Sequence, residues 1–121
     1  IHMIDWERSA LRQEGHYMGT GMLLLSLLSR RDMYGYEMIE ELRLRSNRVF
    51  ELKAGTLYPL LHTLEAQGLV SSFDGRAAGR VRRYYHITEA GRAALAEQAE
   101  AWAAYAGAVK GILEGGALCG T

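Results

Sequence analysis

Residues 55–91 read GTLYPLLHTLEAQGLVSSFDGRAAGRVRRYYHITEAG, and the period of the apolar residues changes once within this stretch. Before Gly68, the leucines at positions 57, 60, 61 and 64 follow the spacing of one helix face, and Gly68 is a typical helix stop. After Gly68 the period becomes two over residues 69–73 and 81–87, with glycines in the loop between them. The stretch therefore predicts an amphipathic helix followed by a β-hairpin.

Further helices are predicted on both sides of this stretch. Residues 3–19 hold a short amphipathic lead-in helix, and residues 20–29 form a mostly apolar helix that we expect at the centre of the core. Another helix runs from an N-cap at Asp32 to about residue 45, and residues 49–52 are β-prone. Thr88 is a suitable N-cap for a final helix that ends near residue 113.

The three helices between residues 20 and 68, followed by a hairpin, have the order of a winged helix-turn-helix. In that fold the third helix lies in the major groove of DNA. The predicted fold class is therefore mostly α with a small β-hairpin. We expect a lead-in helix over residues 3–19, a winged-helix DNA-binding domain over 20–87 and a C-terminal dimerisation helix over 88–114.

Length and composition fit one domain with a packed core: 121 residues, of which 49% are hydrophobic and 23% charged. The longest apolar run is much shorter than a membrane-spanning helix, no secretory signal opens the chain, and the single Cys119 cannot form a disulfide framework. Ile1 and His2 look like a cloning remnant before a native start at Met3. We expect a cytoplasmic protein without a membrane anchor.

Charge is unevenly distributed, although the formal net charge is zero. Residues 43–83 carry eight lysines and arginines against three acids, whereas both flanks are acidic. A basic middle indicates a surface that faces a polyanion, and a solvated charge cluster is the alternative.

Catalytic motifs are absent from the sequence. There is no nucleophile elbow, phosphate-binding loop, dinucleotide-binding glycine motif or zinc-protease helix. His16, His62 and His86 stand too far apart for a helical or hairpin metal pair, and the adjacent Glu40 and Glu41 do not face each other on a helix. An enzyme is therefore the least supported function class, and no metal or cofactor is expected.

The side of the predicted third helix opposite the leucine row is expected to face DNA. Thr56 and the free N–H groups at the helix start suit phosphate oxygens, whereas Tyr58, His62 and Thr63 are placed for base edges. Tyr58 is equally suited to packing, and His62 to a plain surface position. The candidates on this helix and just before it are Lys53, Thr56, Tyr58, Pro59, His62 and Thr63.

The hairpin, or wing, carries four more candidates at or beside its tip: Arg76, Arg80, Arg82 and Arg83. Such cations bind phosphate or enter the minor groove. Because side chains alternate along a strand, one of the neighbouring Arg82 and Arg83 is expected to point inward or sideways.

Three ordered motifs resemble those of the PadR transcriptional regulators. They are MYGYE at 33–37, GTLYPLLH at 55–62 and RRYYHITEAG at 82–91, and the resemblance covers about residues 22–95. It implies a homodimeric winged-helix repressor whose C-terminal helix supplies the dimer contact, similar to the short-form subgroup of the family. In that subgroup some members hold flat aromatic effectors at the dimer centre, beside a tryptophan in the place of Trp102.

The sequence departs from the family pattern at three places. Lys53-Ala54 stands where the family often has Ser-Pro, Thr63 replaces a frequent arginine or lysine, and Val81 interrupts the basic run of the wing. We therefore expect operator affinity to rest more on the wing.

The final helix carries an apolar seam at alternating spacings of four and three, formed by Leu95, Ala99, Trp102, Ala106, Val109 and Leu113. The seam predicts a homodimer, with the lead-in helix covering part of it. The alternative is that this helix packs onto the core of its own chain. The predicted interface residues are Trp6, Leu11, Leu95, Trp102, Val109 and Leu113.

Small residues surround Trp102 on this seam. Two such faces meeting at a twofold axis would enclose a flat slot in which the indole stacks on a planar aromatic ligand. The predicted effector site is therefore Trp102 with Ala99 and Ala106, and the alternative is that Trp102 only fills the interface.

Together these features predict a repressor that binds a palindromic duplex DNA operator as a homodimer and leaves it when a small ligand changes the dimer. The main rival is a winged helix that contacts other proteins and binds no DNA. Such a module has no need of an arginine-rich wing.

Overall fold

The computed structural model describes residues 17–115. Within this range it contains four α-helices and one three-stranded antiparallel sheet, and the mostly α fold with a hairpin agrees with the sequence prediction. A π-helical turn, Tyr17–Gly21, leads into α1. The elements in chain order are α1 (Met22–Leu28), β1 (Met33–Tyr34), α2 (Gly35–Arg45), α3 (Ala54–Ala66), β2 (Val70–Ala77), β3 (Arg80–Ile87) and α4 (Glu89–Leu113).

The core lies between the first three helices and one face of the sheet. Helix α1 is buried on most sides, as its apolar sequence predicted, and α3 contributes the leucines at 57, 61 and 64. Met38 of α2 and Tyr85 of β3 complete the centre. Only the period-2 side of β3 that carries Tyr85 and Ile87 is buried, so the other face of the sheet is open.

Helix α2 begins at Gly35, later than predicted, and Asp32 is not its N-cap. Tyr34 occupies the cap position, and its backbone N–H donates to Oε1 of Glu37 at 3.1 Å. Asp32 instead lies beside the sheet, where its Oδ1 is 2.8 Å from Nδ1 of His86. The prediction was wrong because this long-range partner and the intervening strand are not visible in local sequence.

The β-prone residues 49–52 do not form a strand. The chain leaves α2 through two consecutive left-handed residues, Asn47 (φ 55°) and Arg48 (φ 69°), and Val49 is exposed beyond them. The free edge of β3 is instead occupied by β1, in which Met33 pairs with Tyr85 and Tyr34 with Tyr84.

The wing is longer, and its turn tighter, than the sequence indicated. Strands β2 and β3 pair from Val70 and Ile87 to Ala77 and Arg80, which leaves only two residues in the turn. Both turn residues have positive φ, 53° at Ala78 and 77° at Gly79, as in the mirror-image turns that match the twist of a hairpin.

Helix α4 is anchored at its start through Thr88 and Gly91. The Thr88 hydroxyl donates to the Gly68 carbonyl (2.7 Å) and accepts from the Gly91 N–H (3.0 Å), which confirms Thr88 as the N-cap. The Thr88 N–H donates to the Leu69 carbonyl at 3.1 Å. Gly91 is the one buried residue that α4 contains. These contacts join the dimerisation helix predicted from the sequence directly to the segment that follows α3.

The predicted lead-in helix, with Trp6 and Leu11, lies almost wholly outside the described residues. Within residues 17–115, no helix combines the length and the apolar composition that crossing a bilayer requires.

Candidate nucleic-acid interface

Helix α3 presents an exposed side opposite its leucine row. Leu57 and Leu61 are fully buried. The candidates Lys53, Thr56, Pro59, His62 and Thr63 are all exposed, so the structure brings them to the outer side of one helix and its entry. The Thr63 hydroxyl donates to the Pro59 carbonyl at 3.1 Å and is therefore partly engaged within its own helix.

Tyr58 reaches away from this outer side. Its ring lies across the start of α2, and a Cβ placed on Gly35 would stand 2.2 Å from the Tyr58 hydroxyl oxygen. The side chain is still 36% exposed. This placement favours the packing role of Tyr58 that the sequence had left open beside base reading.

The wing arginines divide between the two faces of the hairpin. In the register of β2 and β3, Arg83 is opposite Asp74 on the face that meets α3, whereas Arg82 is opposite Gly75 on the open face. Arg76 and Arg80 are exposed beside the two-residue turn. The alternation predicted for Arg82 and Arg83 is therefore present.

Arg83 is linked to α3 through a serine. Its Nη1 donates to the Ser72 hydroxyl at 3.0 Å, and that hydroxyl donates to Oε2 of Glu65 near the end of α3 at 2.8 Å. The link ties the wing to α3.

Tyr85 lies inside the same region and is buried, in contrast to its neighbour Tyr84 on the open face. Burial raises the pKa of the Tyr85 phenol above its ordinary value, with smaller contributions from Glu65 and Tyr58, while Arg83 lowers it. The phenol therefore stays neutral at physiological pH and adds no charge to the surface.

Ion pairing decides which cations of the basic residues 43–83 remain free to bind an anion. On α2, Arg43 pairs with Glu40 at 2.6 Å and Arg45 with Glu41 at 2.7 Å. Among residues 17–115, no carboxylate pairs with the cations of the loop before α3 and of the wing, which are Arg48, Lys53, Arg76, Arg80, Arg82 and Arg83. Positive charge therefore remains on the loop before α3 and on the wing, and is neutralised on α2.

Metal ligands do not converge in the described part of the chain: residues 17–115 contain no group of three or more His, Cys, Asp or Glu side chains placed to hold an ion. His86 pairs with Asp32 on the open side of the sheet.

The sequence profile of the PadR-like family of transcriptional regulators matches residues 24–97. The chain belongs to this family. The predicted family is thus confirmed, and the PadR-like fold is a DNA-binding winged helix whose candidate DNA surface is the outer side of α3 together with the wing.

Named proteins similar to this PadR-like chain are also transcriptional regulators. It is 36% identical over 99 residues to the transcriptional regulator Rv3488 of Mycobacterium tuberculosis, across 82% of this chain and 81% of that protein. A PadR family transcription regulator from Clostridium difficile superposes with a TM-score of 0.68 at 29% identity, over 80% of this chain and 98% of that one. A transcriptional regulator from Clostridium thermocellum superposes with a TM-score of 0.72 at 28% identity, over 81% of this chain and 96% of that one.

The PadR-like chain carries a second feature outside the winged helix, on the distal part of α4. Leu95 packs against the core of its own chain, but the apolar side chains beyond it are mostly exposed. The rings of Trp102 and Tyr105 lie 5.6 Å apart. A groove of about 350 Å³ lies beside these rings, lined by Trp102, Tyr105, Ala106, Val109, Lys110, Leu113 and Glu114.

Ala99, which the sequence placed in the effector site, is exposed and lies outside the lining of this groove. The sequence did not indicate Tyr105 as part of this site, because Tyr105 lies beside the heptad positions of the seam.

Proposed function

We propose that this PadR-like regulator is a repressor that binds a palindromic duplex operator as a homodimer and is released by a planar aromatic ligand. The single observation that carries the DNA-binding role is the set of cations in the loop before α3 and on the wing that, within residues 17–115, have no carboxylate partner. A protein-contact module without DNA binding is not favoured, because it has no use for unpaired charge placed around a recognition helix.

Within this proposal the chain divides by role. Residues 20–87 bind DNA, through Lys53, Thr56, Pro59, His62 and Thr63 on one side and the wing arginines on the other. Residues 88–114 form the dimer contact, and residues 3–19 cover part of it. The anchoring of α4 by Thr88 transmits the dimer geometry to α3.

The dimer proposal is supported by the exposure of α4. Leu113 is 79% exposed, Trp102 47% and Val109 37%, on a helix that extends well past the core. Large apolar side chains grouped in this way typically mark an interaction surface. A second copy of α4 would bury them through the same heptad spacing.

DNA binding is expected to weaken steeply with salt, and Arg80→Ala is expected to flatten that dependence. Removing one phosphate-binding cation lowers the slope of log K against log salt by roughly 0.9, because fewer condensed counterions are released. The measurement is fluorescence anisotropy of labelled duplex DNA at a series of salt concentrations.

Arg45→Ala is the matched control for this experiment. Arg45 is already paired with Glu41, and that carboxylate keeps a second contact with Arg31 at 3.9 Å, so the slope is expected to stay unchanged. An unchanged slope in Arg80→Ala together with Arg76→Ala would remove the wing tip from the DNA surface.

Ligand release is expected to involve Trp102. With Trp6 replaced by phenylalanine, Trp102 becomes the one remaining indole, and a planar aromatic compound that stacks on it should quench its fluorescence. The same compound should weaken DNA binding only if it binds the DNA-incompetent arrangement more tightly. A broad panel without quenching, together with an inducer that still binds a Trp102→Ala dimer at full affinity, would place the effector site elsewhere.

A further inference from the structure

Arg82 differs from the other wing arginines in its surroundings. Its guanidinium carbon lies 4.8 Å from the ring centroid of Tyr34, the last residue of β1. Its Nε is enclosed and has no hydrogen-bond acceptor among the described residues. An enclosed N–H without an acceptor is unfavourable, so the attraction between the cation and the ring face is the contact that stabilises this arrangement.

The ring of Tyr34 also contacts a second aromatic ring. Tyr84, its partner in the β1–β3 register, meets it edge-on with ring centroids 5.4 Å apart. Phe73 stacks on Tyr84 at 5.6 Å, with the two rings 17° from parallel. The aromatic column therefore runs across all three strands of the open sheet face and ends at Arg82.

Gly75 leaves the room that this column needs. A Cβ on Gly75 would lie 2.7 Å from a ring carbon of Tyr84, so a larger residue opposite Arg82 would displace that ring. Tyr84 could then no longer support Tyr34 in its present position.

The terminal nitrogens of Arg82 have no carboxylate partner among the described residues. Within residues 17–115, the other wing arginine that hydrogen-bonds to a side chain is Arg83, which donates to Ser72. Arg82 is thus a cation that is oriented by a ring without being neutralised. An aromatic ring fixes a guanidinium and leaves its outer N–H groups for a second, anionic partner.

We propose that Tyr34 is a positioning residue for DNA binding: its ring holds Arg82 in the orientation that contacts a backbone phosphate. This inference rests on the proposed function, since it assigns an orienting partner to one cation of that surface. Fixing the side chain before association reduces the conformational entropy cost of binding, and the gain appears as affinity.

The test is a double-mutant cycle on duplex DNA affinity. Tyr34→Leu is expected to lower affinity about threefold to tenfold, and Tyr34→Phe, which keeps the ring, to stay close to the unsubstituted protein. Arg82→Ala is expected to lower the salt slope by roughly 0.9, and Tyr34→Leu should then have no further effect on affinity. Tyr36→Leu is the matched control, because Tyr36 is an exposed tyrosine two residues further on.

The outcomes separate the inference from the proposed function. If the unsubstituted protein binds no duplex DNA, the proposed function fails and this inference falls with it. If it binds, but Tyr34→Leu lowers affinity equally with and without Arg82, then Tyr34 acts through general stability and the inference is wrong. An unchanged affinity in a folded Tyr34→Leu variant would overturn it as well, with folding checked by thermal unfolding.

Discussion

Val109→Glu combined with Leu113→Glu is expected to convert the protein into a monomer and to lower its affinity for an operator by about 100-fold to 10,000-fold. Both side chains belong to the seam of α4 and are exposed in the single chain. Four carboxylates brought together across a twofold axis would repel one another and would be withdrawn from solvent. A monomer has one DNA-binding winged helix, so the second half-site of the operator no longer adds to binding.

The winged-helix body is expected to stay folded in this variant, because neither residue belongs to the core. Sedimentation measures the oligomeric state, and anisotropy with operator DNA measures affinity. Ala104→Glu is the positional control: it adds one carboxylate per chain on the opposite side of α4 and should remain dimeric. A double variant that is still dimeric and still binds its operator would contradict the role assigned to α4.

Gly91→Ala is expected to lower the free energy of unfolding by about 3 kcal/mol. The new Cβ would stand 2.1 Å from the Leu69 carbonyl oxygen, and this oxygen belongs to the backbone and cannot rotate away. This overlap is removed only if α4 moves away from the start of β2. That movement breaks the hydrogen bonds that Thr88 makes with Gly68, Leu69 and residue 91.

Gly107→Ala is the control for this effect. No heavy atom of the described residues 17–115 lies within 4 Å of a Cβ at Gly107, so alanine should stabilise the helix by roughly 0.5–1 kcal/mol. Thermal and denaturant unfolding measure both variants. A Gly91→Ala protein as stable as the unsubstituted chain would show that α4 is not fixed at this point. The arrangement of the dimer would then not be transmitted to α3 through the start of α4.

Sequence periodicity predicted the fold where one face of an element is buried. The leucine row of α3 and the alternation of β3 each leave a strong pattern, because burial selects apolar residues at fixed spacing. Strand β1 left no such pattern: it has two residues, and it exists because the edge of β3 is open to Met33 and Tyr34. Asp32 was misplaced for the same reason, since its partner His86 is 54 residues away.

The sequence predicted which residue types form the candidate DNA surface. It was less informative about which of their side chains remain free to bind. The pairing of Arg43 with Glu40 and of Arg45 with Glu41 follows helical spacing and was readable from the sequence. The contact of Arg82 with Tyr34 was not, because it joins the wing to a strand that periodicity does not reveal. The placement of Tyr58 against Gly35 likewise depends on how α2 and α3 pack.

The central claim, that two copies of this PadR-like chain bind one symmetric duplex site, is tested most directly by selecting fragments from a random duplex pool with the purified protein and sequencing them. We expect enrichment of an inverted repeat whose half-site centres lie about 34–36 Å apart, one turn of DNA. Selected fragments that share no sequence, or that share a single half-site without a symmetric partner, would contradict it.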